Sequence, residues 1–208
     1  RVFILVASRV ESSCSTQQRE NSVSAVLALE TGKVLLGNSV GVTGMRVGEV
    51  VFNTALTGYQ EIISDPSYSN QLITFTYPHI GNTGVNPDDY QSTKISAAGV
   101  IIKSLSKYMS NWRATISLHD FFLQQKIVAI AGIDTRGLTK LLRQHGALRG
   151  CIMAGSVDAD VALQAARNFA GLNKQDLTGA VTTDKIYTIN DAGLLHLVLI
   201  DFGVKSSI

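Results

Sequence analysis

Ile127-Val-Ala-Ile-Ala-Gly-Ile-Asp-Thr-Arg-Gly-Leu-Thr-Lys-Leu-Leu-Arg-Gln-His-Gly-Ala-Leu-Arg-Gly-Cys-Ile-Met153 reads as a strand, a helix and a second strand in one run. Residues 127–130 are short and apolar, of the composition that fits a pleated, half-buried surface. Asp134 or Thr135 can then cap a helix, in which Leu138, Leu141 and Leu142 recur at helical spacing. Arg143 and His145 suit the negative end of the helix dipole, and Gly146 can close the last turn. Residues 150–153 return to strand character. Mixed strands and helices of this kind give an α/β or α+β domain.

Working outward, residues 25–29 and 34–40 are apolar and β-prone, and Glu30-Thr-Gly-Lys33 between them makes a hairpin turn. Residues 49–53, 71–77, 98–102 and 196–200 are further strand candidates. Ser117-Leu-His-Asp120 has the form of a capping box just before Phe121, Phe122 and Leu123, so a helix starts there. Residues 157–169 make a third helix, with Val161, Leu163, Ala165 and Ala166 as its apolar surface. No internal repeat is present. The last candidate strand, read as buried, runs into Asp201-Phe-Gly203 and resembles the opening of a further α/β unit.

The composition agrees with a folded chain. Of 208 residues, 45% are hydrophobic and 16% charged, enough to bury a core in one large domain or two small ones and against disorder. The net charge of +2 argues against a dedicated binder of nucleic acid or anionic membranes. No apolar run approaches the roughly 18 residues needed to span a bilayer. Cys14 and Cys151 lie far apart without CxxC spacing, so neither a disulfide framework nor a zinc site is indicated, and a reducing, cytoplasmic setting is expected. Residues 1–22 read as a polar tail; Arg1, Arg9 and Arg19 are those of a targeting segment, but Glu11 and Glu20 argue against one.

Short motifs for dinucleotides, nucleoside triphosphates, zinc hydrolysis, serine hydrolysis and calcium are all missing. The glycines at 37, 41, 44 and 48 lack the lysine and helix of a phosphate loop and read as turn glycines between strands. Cys151, six residues beyond His145, reads as a buried structural thiol rather than a nucleophile. His79, His119, His145 and His196 show no ligand spacing. The unusual stretch is residues 54–86, which holds Gly58-Tyr-Gln-Glu61, Asp65-Pro-Ser-Tyr68, Tyr77-Pro-His-Ile-Gly-Asn82 and Asn86. Such density of small polar, aromatic and turn residues fits a ligand loop or partner surface, and equally fits ordinary turns between strands.

These segments carry a family resemblance. Gly48-Glu-Val-Val-Phe-Asn-Thr54, Thr57-Gly-Tyr-Gln-Glu61, Thr76-Tyr-Pro-His-Ile-Gly-Asn82 and Gly132-Ile-Asp-Thr-Arg136 closely resemble the small subunit of glutamine-dependent carbamoyl phosphate synthetase. The resemblance runs from about residue 24 to 183 and resumes at 197–208.

It implies an α/β fold: a swivelling β/β/α-type N-terminal domain, followed by the truncated start of a class I glutamine amidotransferase domain. The expected organisation is a tail at 1–22, the N-terminal domain at 23–190, and a linker plus first amidotransferase strand at 191–208. In such enzymes a cysteine, activated by a His and Glu pair, releases ammonia from glutamine. Neither Cys14 nor Cys151 aligns with that nucleophile, so no catalytic residue is expected in this chain. Ser67 is expected to bind glutamine, at its α-amino and carboxylate end. The implied partner is the large synthetase subunit, which holds ATP and metal ions and builds carbamoyl phosphate from bicarbonate for arginine and pyrimidine synthesis; no cofactor is expected here. The path between the subunits must exclude water, because protonated ammonia is no nucleophile. A rival expectation is a non-catalytic interaction or scaffold protein that keeps only the synthetase-docking surface.

Overall fold

A computed structural model describes residues 24–189 and 192–208. The expected tail and Cys14 lie outside the described residues. In chain order the strands are β1 (Ala25–Leu29), β2 (Val34–Ser39), β3 (Gly44–Asn53), β4 (Gln71–Phe75), β5 (His79–Ile80), β6 (Gly99–Ile101), β7 (Ser104–Leu105), β8 (Val128–Ala131) and β9 (Leu148–Ala154). The helices are α1 (Tyr59–Ser64), α2 (Leu118–Gln124), α3 (Thr135–His145), α4 (Ala159–Asn168) and α5 (Thr178–Val181), with single 3-10 turns at Pro66–Tyr68 and Leu172–Lys174.

Seven strands close into a barrel in the order β1-β2-β8-β6-β4-β3-β9, and β9 pairs back onto β1. β3, β4, β6 and β8 run parallel to one another; the pairings through β1, β2 and β9 are antiparallel. β5 and β7 form a separate parallel pair. Parallel neighbours need crossovers, and α1 supplies one between β3 and β4 while α2 supplies another between β6 and β8.

Alternation along each strand sorts side chains between the inside and the outside of the barrel. Leu27, Leu29, Val50, Leu72, Ile101, Val128, Ile130 and Ile152 form the interior cluster. Leu138 and Leu142 of α3 belong to this same cluster, so α3 covers a barrel end instead of packing on the outer wall. On one outer face, Ile73, Phe75, Val100 and Ala129 pack against Tyr59 and Ile63 of α1 and Phe121 and Phe122 of α2. On another, Val26, Ala28 and Cys151 meet Ala162 and Ala166 of α4. Each fully buried leucine, isoleucine or phenylalanine contributes about 1.5–3 kcal/mol.

The expected caps form. Ser117 Oγ accepts from the Asp120 N–H at 3.1 Å, starting α2, and Asp134 Oδ1 accepts from the Gly137 N–H at 3.0 Å, starting α3. Gly146 closes α3 at φ 80°. The hairpin at residues 25–40 is β1 and β2 in antiparallel register, Ala28 opposite Val34.

Three expectations change. Gly37 lies within β2, and Gly44 and Gly48 lie within β3, not in turns. A Cβ on Gly37 would stand 2.3 Å from the Ala131 carbonyl oxygen, and one on Gly48 2.5 Å from that of Asn70, so close backbone approach dictates Gly37 and Gly48. Residues 196–200 form no strand and are exposed. Strand structure needs a ladder partner, and a closed barrel offers no free edge to receive one. Residues 54–86, read as loop or turns, contain a helix, α1, whose buried face packs on the parallel strands.

Candidate functional site

The conspicuous stretch folds into a hydrogen-bonded platform on the outer face of the parallel strands. Gly58 precedes α1 at φ 77°, a left-handed conformation that glycine adopts without steric cost, and the chain turns there from β3 into the helix. Tyr59 then points into the core, edge-on to Phe75 at 5.8 Å between ring centroids. Its hydroxyl reaches the Leu56 carbonyl at 2.7 Å and Asn82 Oδ1 at 3.2 Å. Burial, with a smaller contribution from Tyr77, pushes its pKa up and keeps the phenol a donor.

Gln60 is buried one residue on. Its Nε2 donates to the Asn86 carbonyl at 2.6 Å and its Oε1 accepts from the Asn86 N–H at 3.0 Å. Asn86 in turn donates to Asp89 Oδ2 at 2.6 Å and accepts from the N–H groups of Asp88 and Asp89. Ser64, at the end of α1, accepts from the Gln91 N–H at 2.9 Å. A six-residue helix thereby fixes a loop that follows it by more than twenty residues.

The expected glutamine-binding residue sits on the next turn. Asp65 Oδ1 accepts from the Ser67 N–H at 2.8 Å, and Pro66 is buried beneath the turn. Tyr68 is held through its hydroxyl, which accepts from Asn53 Nδ2 at 2.8 Å. The capping of this turn is therefore done by Asp65. Ser67 is exposed, and its hydroxyl makes no hydrogen bond among the described residues. It is a fixed, accessible donor and acceptor.

The C-terminal segment lies beside the same turn. Asp201 Oδ1 accepts from the N–H groups of Gly203 and Val204, both at 2.8 Å, and its other oxygen accepts from the Tyr187 hydroxyl at 2.9 Å. These bonds, those from Val204 and Gly203 foremost, hold the Asp201 pKa below its ordinary value. The turn brings Lys205 Nζ to 3.8 Å from Asp65 Oδ2, and the Ser206 N–H donates to the Gln91 carbonyl at 2.9 Å.

The alternative chemistry is not assembled. Cys151 is fully buried on the outward face of β9 against α4, and burial pushes its thiol up to about 11. His145 closes α3, whose leucines join the barrel interior across the strand wall, and its Nδ1 is 3.1 Å from the Leu141 carbonyl. His119 Nδ1 lies 3.0 Å from the Val40 carbonyl. Among the described residues no group of three or more His, Cys, Asp or Glu is placed to hold a metal ion. No helix among them is long and apolar enough to cross a membrane. The family resemblance, not the residues alone, singled out Ser67; the pairing of Gln60 with Asn86 and of Lys205 with Asp65 was not foreseen. Nothing local marks Gln60 as buried, and Lys205 reaches Asp65 only through the fold.

The fold is a closed barrel of mixed α/β topology that carries this amide-rich platform on the outer face of its parallel strands. Residues 27–152 match the family model for the carbamoyl-phosphate synthase small chain, CPSase domain, and the chain belongs to that family. It is 50% identical over 202 residues to the carbamoyl phosphate synthase small chain of Thioalkalivibrio sulfidiphilus, covering 90% of this chain and 53% of that protein. Against those of Pseudomonas putida and Ralstonia nicotianae the identities are 47% over 201 and 49% over 197 residues, each covering 88% of this chain, with 53% and 52% of the relatives. The chain thus spans about half the length of the curated relatives it matches. An aminopeptidase from Aneurinibacillus sp. strain AM-1 superposes with a TM-score of only 0.37 at 13% identity, over 64% of this chain and 31% of that one, too low to inform the fold.

Proposed function

We propose that the chain is the N-terminal domain of a glutamine-hydrolysing carbamoyl phosphate synthetase small subunit, acting with a synthetase subunit that consumes the ammonia released. The observation that carries this reading is family membership, together with a Ser67 hydroxyl left accessible on a turn that Asp65 and Tyr68 already hold. In this role Ser67 contacts the polar end of glutamine and orients it. The nucleophile that attacks the amide is supplied by an amidotransferase domain, which the segment after residue 191 begins. ATP, bicarbonate and metal ions act on the synthetase subunit.

Lys205 and Asp65 then have a defined part. Their ion pair sets the segment that leads toward the amidotransferase domain against the turn that carries Ser67. Glutamine held by Ser67 is thereby kept in register with the chemistry next door. Positioning of this kind is worth rate as well as affinity, since misplacement by an ångström costs about a hundredfold.

The test is kinetic. In the small subunit carrying this domain, paired with its synthetase subunit, Ser67→Ala raises the KM for glutamine by about tenfold to a hundredfold, the loss of a hydrogen bond to a charged group. Synthesis from added ammonia is unchanged. An unaltered glutamine KM removes Ser67 from the site. Saturable glutaminase activity in the isolated 208-residue chain overturns the assignment of the chemistry to another domain.

A further inference from the structure

Asn53 holds the α1 crossover with both ends of its amide. Its Oδ1 accepts from the Ala55 N–H at 2.8 Å, where the chain leaves β3, and its Nδ2 donates to the Tyr68 hydroxyl at 2.8 Å, where the chain returns toward β4. α1 lies between the two contacts. Val50 belongs to the barrel interior, so alternation along β3 turns Asn53 to the outer face. Tyr68 packs there against the cluster that includes Tyr59, Ile63 and Phe75.

The other hydrogen bonds of the Ser67 turn are local. The Ser67 N–H donates to Asp65 Oδ1 at 2.8 Å, the Tyr68 N–H to the Asp65 carbonyl at 3.1 Å and the Ser69 N–H to the Pro66 carbonyl at 3.1 Å. Bonds between such near neighbours fix the shape of the turn but not where it stands. Lys205 ties Asp65 to the C-terminal segment, which is no part of the barrel. Among the described residues, the bond from Asn53 to Tyr68 is the one hydrogen bond that joins residues 66–68 to a barrel strand.

Asn53 stands opposite Phe75, the last residue of β4, whereas Tyr68 precedes its first, Gln71. The phenol therefore reaches back along the strand pair. A tyrosine side chain has only two torsions, so a hydroxyl pinned at the far end restrains the backbone at the near end. We infer that, given the glutamine contact proposed for Ser67, Asn53 is a positioning residue: through Tyr68 it sets where the Ser67 hydroxyl stands on the barrel, without touching the substrate itself.

Three substitutions separate the bond from simple packing. Tyr68→Phe keeps the ring and loses only the link. Asn53→Leu keeps the approximate size and loses both bonds of the amide. Asn53→Asp keeps both with one role reversed, since the Tyr68 hydroxyl can donate to one carboxylate oxygen while the Ala55 N–H donates to the other.

The test uses the small subunit carrying this domain, paired with its synthetase subunit, and reads the KM for glutamine against synthesis from added ammonia. Tyr68→Phe and Asn53→Leu are each expected to raise that KM by about threefold to tenfold, the contribution of one hydrogen bond, while Asn53→Asp stays close to the parent. Tyr68→Phe carries the test if Asn53→Leu does not fold. In a Ser67→Ala background Tyr68→Phe is expected to add nothing, because residues acting as one unit are not additive. An unchanged KM in Tyr68→Phe beside a raised one in Ser67→Ala overturns the positioning role and leaves the Ser67 contact standing. A full further rise in the Ser67→Ala background, or an Asn53→Asp as impaired as Asn53→Leu, overturns it as well. An unchanged KM in Ser67→Ala removes the contact and the positioning role together.

Discussion

Gln60 and Asn86 form a closed amide pair: one side chain donates at 2.6 Å to the carbonyl and accepts at 3.0 Å from the N–H of the same backbone residue. Both residues are buried. The pair fastens the loop after β5 to α1, and with it the platform on which Ser67 stands. Gln60→Leu leaves a buried donor and acceptor without partners, so a loss of about 2–4 kcal/mol is expected from urea unfolding. A stability within about 0.5 kcal/mol of the parent would mean that water replaces the amide at this site.

Thr74 gives the opposite sign. It shares the inward face of β4 with Leu72, two residues before it, is fully buried, and its Oγ1 has no hydrogen-bond partner. Thr74→Val keeps the shape and removes the unsatisfied hydroxyl, so stability should rise by about 1 kcal/mol. Thermal melts of the two proteins decide it.

Barrel closure depends on backbones in contact. Gly48→Ala places a Cβ 2.5 Å from the Asn70 carbonyl oxygen, where β3 and β4 run side by side. A cost of about 1–3 kcal/mol is expected. Gly179→Ala, in α5 with nothing within 4 Å, is the control and should raise stability by up to about 1 kcal/mol. Denaturant midpoints that move together would show that crowding at Gly48 is relieved by small shifts.

The Glu30–Arg149 contact predicts a pH dependence. Burial pushes the Glu30 carboxyl up, but the side-chain and backbone hydrogen bonds from Arg149 and its guanidinium charge outweigh it, leaving the pKa below its ordinary value of 4.5. A lowered carboxylate pKa stabilises the fold above that ordinary value, and the contribution fades as pH falls through the folded-state pKa. The gap in urea midpoint between the parent and Glu30→Gln should therefore be full at neutral pH and shrink below about pH 4. A gap independent of pH would assign the stabilisation to hydrogen bonding alone.

Cys151 should be inert. With its pKa at about 11 the thiol stays protonated at ordinary pH, and α4 covers it. In a Cys14→Ser background, an aromatic disulfide reagent at pH 8 should label the native chain negligibly and the urea-unfolded chain fully. Rapid native labelling would restore the thiol as a candidate nucleophile.

The sequence by itself determined what neighbouring residues can decide. Ser117 and Asp134 cap their helices because the donor each satisfies lies three residues ahead, and the turn at Glu30-Thr-Gly-Lys33 joins β1 to β2 by the same short-range geometry. Family-typical runs such as Gly48-Glu-Val-Val-Phe-Asn-Thr54 were legible because each is contiguous. Only the tertiary structure decided the rest. That Gly37 and Gly48 serve close strand approach, that residues 196–200 find no ladder, and that Cys151 faces α4 all depend on which strands become neighbours once the barrel closes. Gln60 meeting Asn86 and Lys205 meeting Asp65 depend on it too. A hydrogen bond or ion pair between distant segments carries no local pattern, because register and closure, not the residues between, bring its two ends together.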